Sequence, residues 1–178
     1  MLRPLPAAAA AIVASLLVIP SPASASTFRA TSVEEVARAS DAVVRGKVER
    51  RESFATADGR TFLTWVEIGV ASAWKGAPGS RVRVLVPGGQ VGRLAQRVDG
   101  APEFRDGEEV VVFLSRRADF WELNGLALGK YEVVAGRAVP DLASVDLAPT
   151  PLRAGERAVG AMALDELQRR VAGAGSAR

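Results

Sequence analysis

Apolar residues recur along this chain with two different periods, and the change between them organises it. Val33, Val36 and Ala37 fall on one helical face. Ser32-Val33-Glu34-Glu35 just before them is a capping box, with Ser32 as N-cap and Glu35 reaching back. A short helix to about Ala39 is expected, ended near Ser40-Asp41. From Ala42 the period drops to two. Val44, Gly46 and Val48 face one way and Arg45, Lys47 and Glu49 the other, which predicts a strand over residues 42–50. Ala57-Asp58-Gly59-Arg60 is turn chemistry, because Asp-Gly tolerates left-handed backbone. Phe62 to Ala73 reads as a long second strand with Thr64, Val66, Ile68 and Val70 on one side, and Lys75-Gly76-Ala77-Pro78-Gly79 ends it. Val82, Val84 and Val86 alternate with Arg81 and Arg83 in a third. Residues 108–114 form the strongest strand, apolar on both faces from Val110 to Leu114, as a central strand would be. Residues 120–123, 128–134 and 137–139 are further strand candidates. Leu164, Leu167 and Val171 stripe a final helix over residues 162–172, with Gly173 as its C-cap. The expected fold is mainly β: a small closed barrel of five or six strands, with a short N-terminal helix and a C-terminal helix.

Two stretches break the pattern. Residues 87–107 hold five glycines and two prolines without a clear period. A connection this long inside a compact domain is unusual and often functional; a short helix or strand is hidden at residues 91–98. Residues 141–160 are weakly patterned and read as a linker. Upstream, Met1-Leu2-Arg3 precedes an apolar run from Ala7 to Ile19, then Pro20-Ser21-Pro22 and the small residues Ala23-Ser24-Ala25. That is a secretory-signal pattern with cleavage after Ala25. The run is short for a membrane span, which needs roughly 20 residues; an uncleaved anchor is the alternative. The expected organisation is a signal peptide at 1–25, a barrel domain at 26–140, and a linker with its helix at 141–178. The location is secreted or periplasmic, with no membrane anchor after cleavage.

Composition narrows the chemistry. The chain has no cysteine and no histidine among its 178 residues. A Ser–His–Asp or Cys–His device, a His-bound zinc, a disulfide framework and a lipoprotein anchor are therefore unavailable to this chain alone. The net charge of +3 comes with twenty arginines and three lysines. Arg50-Arg51, Arg116-Arg117 and Arg169-Arg170 are isolated pairs, read as solvated surface and not as a nucleic-acid footprint. Glu108-Glu109, as strand neighbours, point to opposite faces and cannot act on one bond. A non-local pair such as Glu67 with Glu122 stays open as a glycosidase device, which needs two facing carboxyls. No calcium-loop spacing links Asp58, Asp99, Asp106 and Asp119. Pro87-Gly88-Gly89-Gln90-Val91-Gly92 lacks the Gly-Lys-Ser/Thr ending of a phosphate loop. It is either a structural crossing or a contact surface with Gln96, Arg97, Phe104 and Arg105. Trp65, Trp74 and Trp121 either seal the barrel or form a contact platform; Trp65 is the one whose alternation sets it opposite Val66 and Ile68.

Ser40-Asp41-Ala42-Val43-Val44-Arg45-Gly46-Lys47-Val48 resembles the opening strand of the tissue inhibitors of metalloproteinases. Trp65 to Gly76 looks like that family's second strand, Glu108 to Leu114, preceded by Asp106-Gly107, its fourth, and Gly129-Lys130-Tyr131 lies where a later strand would start. The resemblance covers roughly residues 41–134. It implies the netrin-like form of the OB-fold, a five-stranded Greek-key barrel, as in uncharacterised exported bacterial proteins, some of whose relatives are joined to secreted metalloproteases. The inhibitors' N-terminal cysteine is replaced here by Ser26-Thr27-Phe28, so their zinc-capping mechanism does not carry over.

The resulting expectation is an exported, non-enzymatic module without metal or cofactor. It would bind a protein, a secreted protease being one candidate, through Trp65, Pro87, Gly88, Gly89, Gln90, Gln96, Arg97, Phe104 and Arg105. The alternatives are a carboxylate-dependent, glycan-active enzyme and an envelope glycan-binding protein.

Overall fold

The computed structural model describes residues 26–29, 31–143, 145–148 and 150–176. In chain order its elements are β1 (Ser26–Arg29), α1 (Val33–Ala39), β2 (Ala42–Ala55), β3 (Phe62–Lys75), β4 (Arg81–Pro87), β5 (Gly89–Val91), β6 (Leu94–Gln96), β7 (Glu109–Arg117), β8 (Phe120–Leu123), a 3-10 turn (Leu126–Gly129), β9 (Lys130–Val134), β10 (Arg137–Pro140), β11 (Val145–Ala148), β12 (Met162–Ala163) and α2 (Leu164–Ser176). Residues 1–25, which carry the expected signal peptide, lie outside the described residues.

The hairpin β2–β3 is the spine. Its turn is tied by Thr56 N–H donating to Thr61 O (2.8 Å) and by Asp58 Oδ1 accepting from the Thr56 hydroxyl (2.6 Å) and the Arg60 amide (3.1 Å). Alternation on β2, β3 and β4 turns Val44, Val48, Val66, Ile68, Val82 and Val84 into one core. β7 serves two cores. Val110, Val112 and Leu114 join that first cluster; Val111 and Phe113 join a second one under the helices. There Val33, Val36 and Ala37 of α1 meet Leu167, Val171 and Ala174 of α2, together with Tyr131 and Met162.

The expected closed barrel is not what forms. Eight strands share one mixed sheet in the order β12-β10-β9-β7-β2-β3-β4-β8, beside two separate two-stranded sheets, β1-β11 and β5-β6. An added β7–β8 pairing links five strands in a ring, but the ring does not close into a barrel. The parallel β4–β8 link holds only two residue pairs, and β9, β10 and β12 run on from β7 to an open edge. The wall is also slit: β7 pairs with β2 only up to Lys47, while β2 continues to Ala55. The physical reason is that β7 offers one outer edge to two claimants, β8 on its C-terminal half and β9 on its N-terminal half. The fold is therefore two helices against a mixed sheet, not a mainly-β cylinder. The netrin-like OB-fold and the likeness to metalloproteinase inhibitors are corrected with it.

Local expectations fared differently from element to element. Ser32 caps α1, accepting from the Glu35 amide at 3.0 Å, while the Glu35 carboxylate accepts from the Thr31 hydroxyl (2.6 Å). The other end of α1 is held from a distance: Lys75 Nζ donates to the carbonyls of Ala37 (2.8 Å), Arg38 (3.1 Å) and Ser40 (2.6 Å). α2 runs through Gly173 to Ser176, so Gly173 is not its cap. The element expected within residues 91–98 is the strand β6, and its hairpin partner β5 lies almost wholly before that window. Within the weakly patterned stretch 141–160, β11 pairs in parallel with β1.

Candidate functional site

Where the wall is slit, a cleft of about 650 Å³ opens. β2 contributes Arg51 and Ser53, β3 contributes Thr64 and Val66, and the β5–β6 hairpin and the segment 97–104 form the opposite side. The floor is set by two glycines. Gly88 has φ +90° and Gly89 φ +140°, backbone that side chains disfavour. A Cβ on Gly89 would lie 2.3 Å from Thr64 Oγ1 and 2.5 Å from Ser53 Oγ. The glycine is thus what lets β5 cross directly over the two hydroxyls.

Those hydroxyls form a directed chain. Thr64 Oγ1 donates to Gly88 O at 2.7 Å. Its single proton being committed there, Thr64 accepts from Ser53 Oγ at 2.9 Å. Ser53 therefore gives its proton to a hydroxyl, not to a base, and turns an acceptor toward the cleft. Gln96 pins the hairpin to the spine, its Oε1 accepting from the Phe62 amide (2.5 Å) and its Nε2 donating to Arg60 O (3.4 Å).

The far wall is tied down at two levels. Arg51 reaches across, with Nη1 to Phe104 O (2.5 Å) and Nε to Asp106 Oδ1 (2.9 Å). Below it lies a buried pair, Lys130 Nζ to Glu108 Oε1 at 2.8 Å, with both side chains about 95% buried (5% and 6% exposed). The same ammonium donates to Glu103 O and sits 4.4 Å over the Phe104 ring. One lysine of β9 thus holds Glu103, Phe104 and Glu108 of the wall. Neither Glu108 oxygen has a well-aligned hydrogen bond, so the Lys130 contact is mainly coulombic.

Pro87, Gly88, Gly89, Gln90, Gln96, Arg97 and Phe104 come together in this cleft. Trp65 and Arg105 do not. Trp65 is on the opposite face of β3, stacked with Phe54 (6.0 Å), edge-on to Phe120 (5.5 Å) and covered by the Arg83 guanidinium (4.1 Å). Arg105 points to Glu132, 3.8 Å away. Arg51, Ser53, Thr64 and Glu103, which are not among the residues expected from the sequence, also line it. The signal was there for two of them: Thr64 is a polar residue ending the inward row Val66, Ile68, and Ser53 is its cross-strand partner.

Glu103 is the carboxylate of the cleft, ion-paired with Arg97. Glu122 is held by Arg117 (2.6 Å). A second hollow lies between α1, α2 and residues 154–156. Its carboxylates are also taken: Glu34 by Arg170 (2.7 Å), Glu166 by Arg170 (3.1 Å) and Glu156 by Arg38 (2.6 Å). The Arg38 guanidinium, aided by the Arg153 amide, holds the Glu156 carboxyl below its ordinary range. Among the described residues no three side chains of metal-ligating type converge, and no helix is long and apolar enough to cross a membrane.

No protein-family model and no curated protein matches the chain. The likeness to netrin-like and metalloproteinase-inhibitor proteins thus has neither a family match nor the closed barrel to support it.

Proposed function

We propose that the chain is an exported, non-enzymatic module that binds a protein partner in the cleft between β2 and the glycine-rich hairpin. The observation that carries the reading is the cleft itself, where backbone, hydroxyls and guanidinium groups converge. Its chemistry suits recognition better than turnover. Ser53 has spent its proton on Thr64, and Glu103 is neutralised by Arg97. A nucleophile needs a base within reach, and a glycosidase needs a second carboxyl facing the first. Arg83 lies over the Trp65 ring where a sugar would stack, which weighs against the glycan alternative. Export rests on the signal pattern of residues 1–25, with cleavage after Ala25 placing the new terminus at the first residue of β1.

Cross-linked capture from culture fluid and envelope fractions tests the function. One stoichiometric protein, a protease or otherwise, is expected with the native protein and is lost with Ala95→Glu, a substitution at an exposed cleft position. Recovery of polysaccharide, or turnover of any substrate, would replace this reading.

A further inference from the structure

We infer that the slit is a strand-binding edge: an extended segment of a protein partner adds to β2 along Arg51, Ser53 and Ala55. This rests on the protein-binding reading above and names how the partner is held. The direction of the backbone groups follows from the hairpin. Thr56 N–H donates to Thr61 O, so residues 56 and 61 are a hydrogen-bonded pair, and such pairs alternate along an antiparallel ladder. Phe54–Leu63, Glu52–Trp65 and Arg50–Glu67 therefore bond across to β3, in the register of that hairpin. Ala55, Ser53 and Arg51 turn their N–H and C=O groups the other way.

Contacts on β3 agree. Phe62 O accepts from Gly88 N–H (2.8 Å) and Phe62 N–H donates to Gln96 Oε1 (2.5 Å), so neither group bonds to Ala55. The 2.9 Å approach of the Ser53 and Thr64 hydroxyls is what side chains of a non-hydrogen-bonded pair show. Closer to the sheet centre the same edge is filled: Val48 N–H donates to Glu108 O (2.9 Å) and Gly107 N–H to Val48 O (2.8 Å). Beyond that point the segment before Gly107 diverges, and only the Arg51 side chain spans the gap. Among the described residues, no backbone group pairs with the outward groups of residues 51, 53 and 55.

Donors and acceptors repeating at strand spacing complement a polypeptide backbone, whereas a sugar or nucleotide has no such repeat. Edge-to-edge pairing with a second copy is opposed by the charged Arg50–Glu52 pair flanking the edge (2.9 Å) and by the 97–104 wall facing it. The slit admits one strand. Its inner side, over Gly89 and the Ser53 acceptor, suits small residues; its outer side, beside Phe54, suits apolar ones.

Panning a displayed library of random dodecapeptides on the full chain, then N-methylating the best binder one residue at a time, tests the inference. Methylation at every second residue is expected to weaken binding at least tenfold and to be tolerated between. Amide exchange at Arg51, Ser53 and Ala55 slows at least tenfold in the complex. Ala55→Pro, which deletes an outward N–H that the fold does not use, weakens binding tenfold with an unchanged melting temperature; if it melts early, the N-methylation pattern and the exchange data decide. No binder, no period-two pattern, protection elsewhere, or concentration-dependent protection of the free protein at these amides would overturn it. Each of these results leaves the captured partner of the preceding experiment standing, so the two readings fail separately.

Discussion

Lys130 and Tyr131 are neighbours that face opposite cores. Lys130 neutralises Glu108 where water cannot, so removing one partner strands a buried charge. Lys130→Met is expected to cost about 3–5 kcal/mol, whereas Lys130→Met with Glu108→Leu recovers most of it; denaturant melts of the three proteins decide. A recovered double variant with a loosened 97–108 segment would show that the pair positions the wall more than it stabilises the fold. Tyr131 is the single tyrosine of the chain. Burial first, and the Glu34 charge after it, push its hydroxyl well above the ordinary value of 10; the Gly160 amide tempers the shift without reaching good hydrogen-bond alignment. The sign follows. A raised folded value means that the contribution of the neutral phenol is complete below about pH 10 and is lost as pH climbs above it. Tyrosinate absorbance is expected to appear only together with alkaline unfolding, and Tyr131→Phe should move that unfolding to higher pH. Ordinary titration near pH 10 in the folded protein would contradict the burial.

Helix α1 is seven residues long, too short to persist without its contacts. Its N-terminus is written locally in Ser32. Its C-terminus is so only in part: Ser40 donates its hydroxyl to Val36 O (2.7 Å) and its N–H to Ala37 O (3.4 Å), but the ammonium that reaches the carbonyls of Ala37, Arg38 and Ser40 comes from the last residue of β3. Charge-assisted hydrogen bonds are each worth about 1.5–3 kcal/mol. Water can take over most of the freed carbonyls at this partly exposed helix end, so the net loss is that of about one such bond: Lys75→Met is expected to lower stability by about 2 kcal/mol and to speed amide exchange over residues 36–40, measured on the folded protein. A neutral Lys75→Met would mean that solvent caps the helix equally well. The strands tell the same story from the other side. Alternation marks β2, β3 and β4, because each has one buried face, and the unbroken apolar run of Val110 to Leu114 marks β7, which is buried on both. β12, β1 and β11 were not marked: two- to four-residue pairings carry no period to read, and their partners lie far away in the chain.

At the scale of the molecule, α2 is part of the core and not an appendage. Leu167 and Val171 are almost fully buried against α1 and the back of the sheet. Deleting residues 161–178 should leave Val33, Val36, Phe113 and Met162's former neighbours facing water and yield an aggregating, non-cooperatively melting chain; a soluble product with an intact melt would reassign the core to the sheet alone. Export is tested at the same scale. N-terminal sequencing of the protein recovered outside the cytoplasm is expected to begin Ser-Thr-Phe-Arg, which leaves all of β1 available to pair with β11. A start upstream of Ser26, or retention inside the cell, would refute that cleavage.

Part of the candidate cleft is legible in the sequence. The glycine-rich stretch announced a close crossing, and seven of the nine residues chosen from the sequence do line one cleft. Trp65 lies outside the cleft: alternation tells which face a residue is on, not which face carries the cleft. Arg51 reads in the sequence as ordinary surface charge, since its contacts to Phe104 and Asp106 lie more than fifty residues away.

The chain by itself determined the local pieces: the capped helix, the Asp-Gly hairpin, the apolar rows, and the absence of thiol and imidazole chemistry. These depend on residues a few positions apart, where steric and hydrogen-bonding preferences are set. The tertiary structure alone decided that the sheet stays open. Side-chain periodicity specifies which face of a strand is buried, while the pairing of its edges is a matter of backbone groups, identical in every residue but proline. Whether β2 finds a neighbour beyond Val48 is therefore invisible in its own residues. It is settled by where the segment leading into β7 turns away.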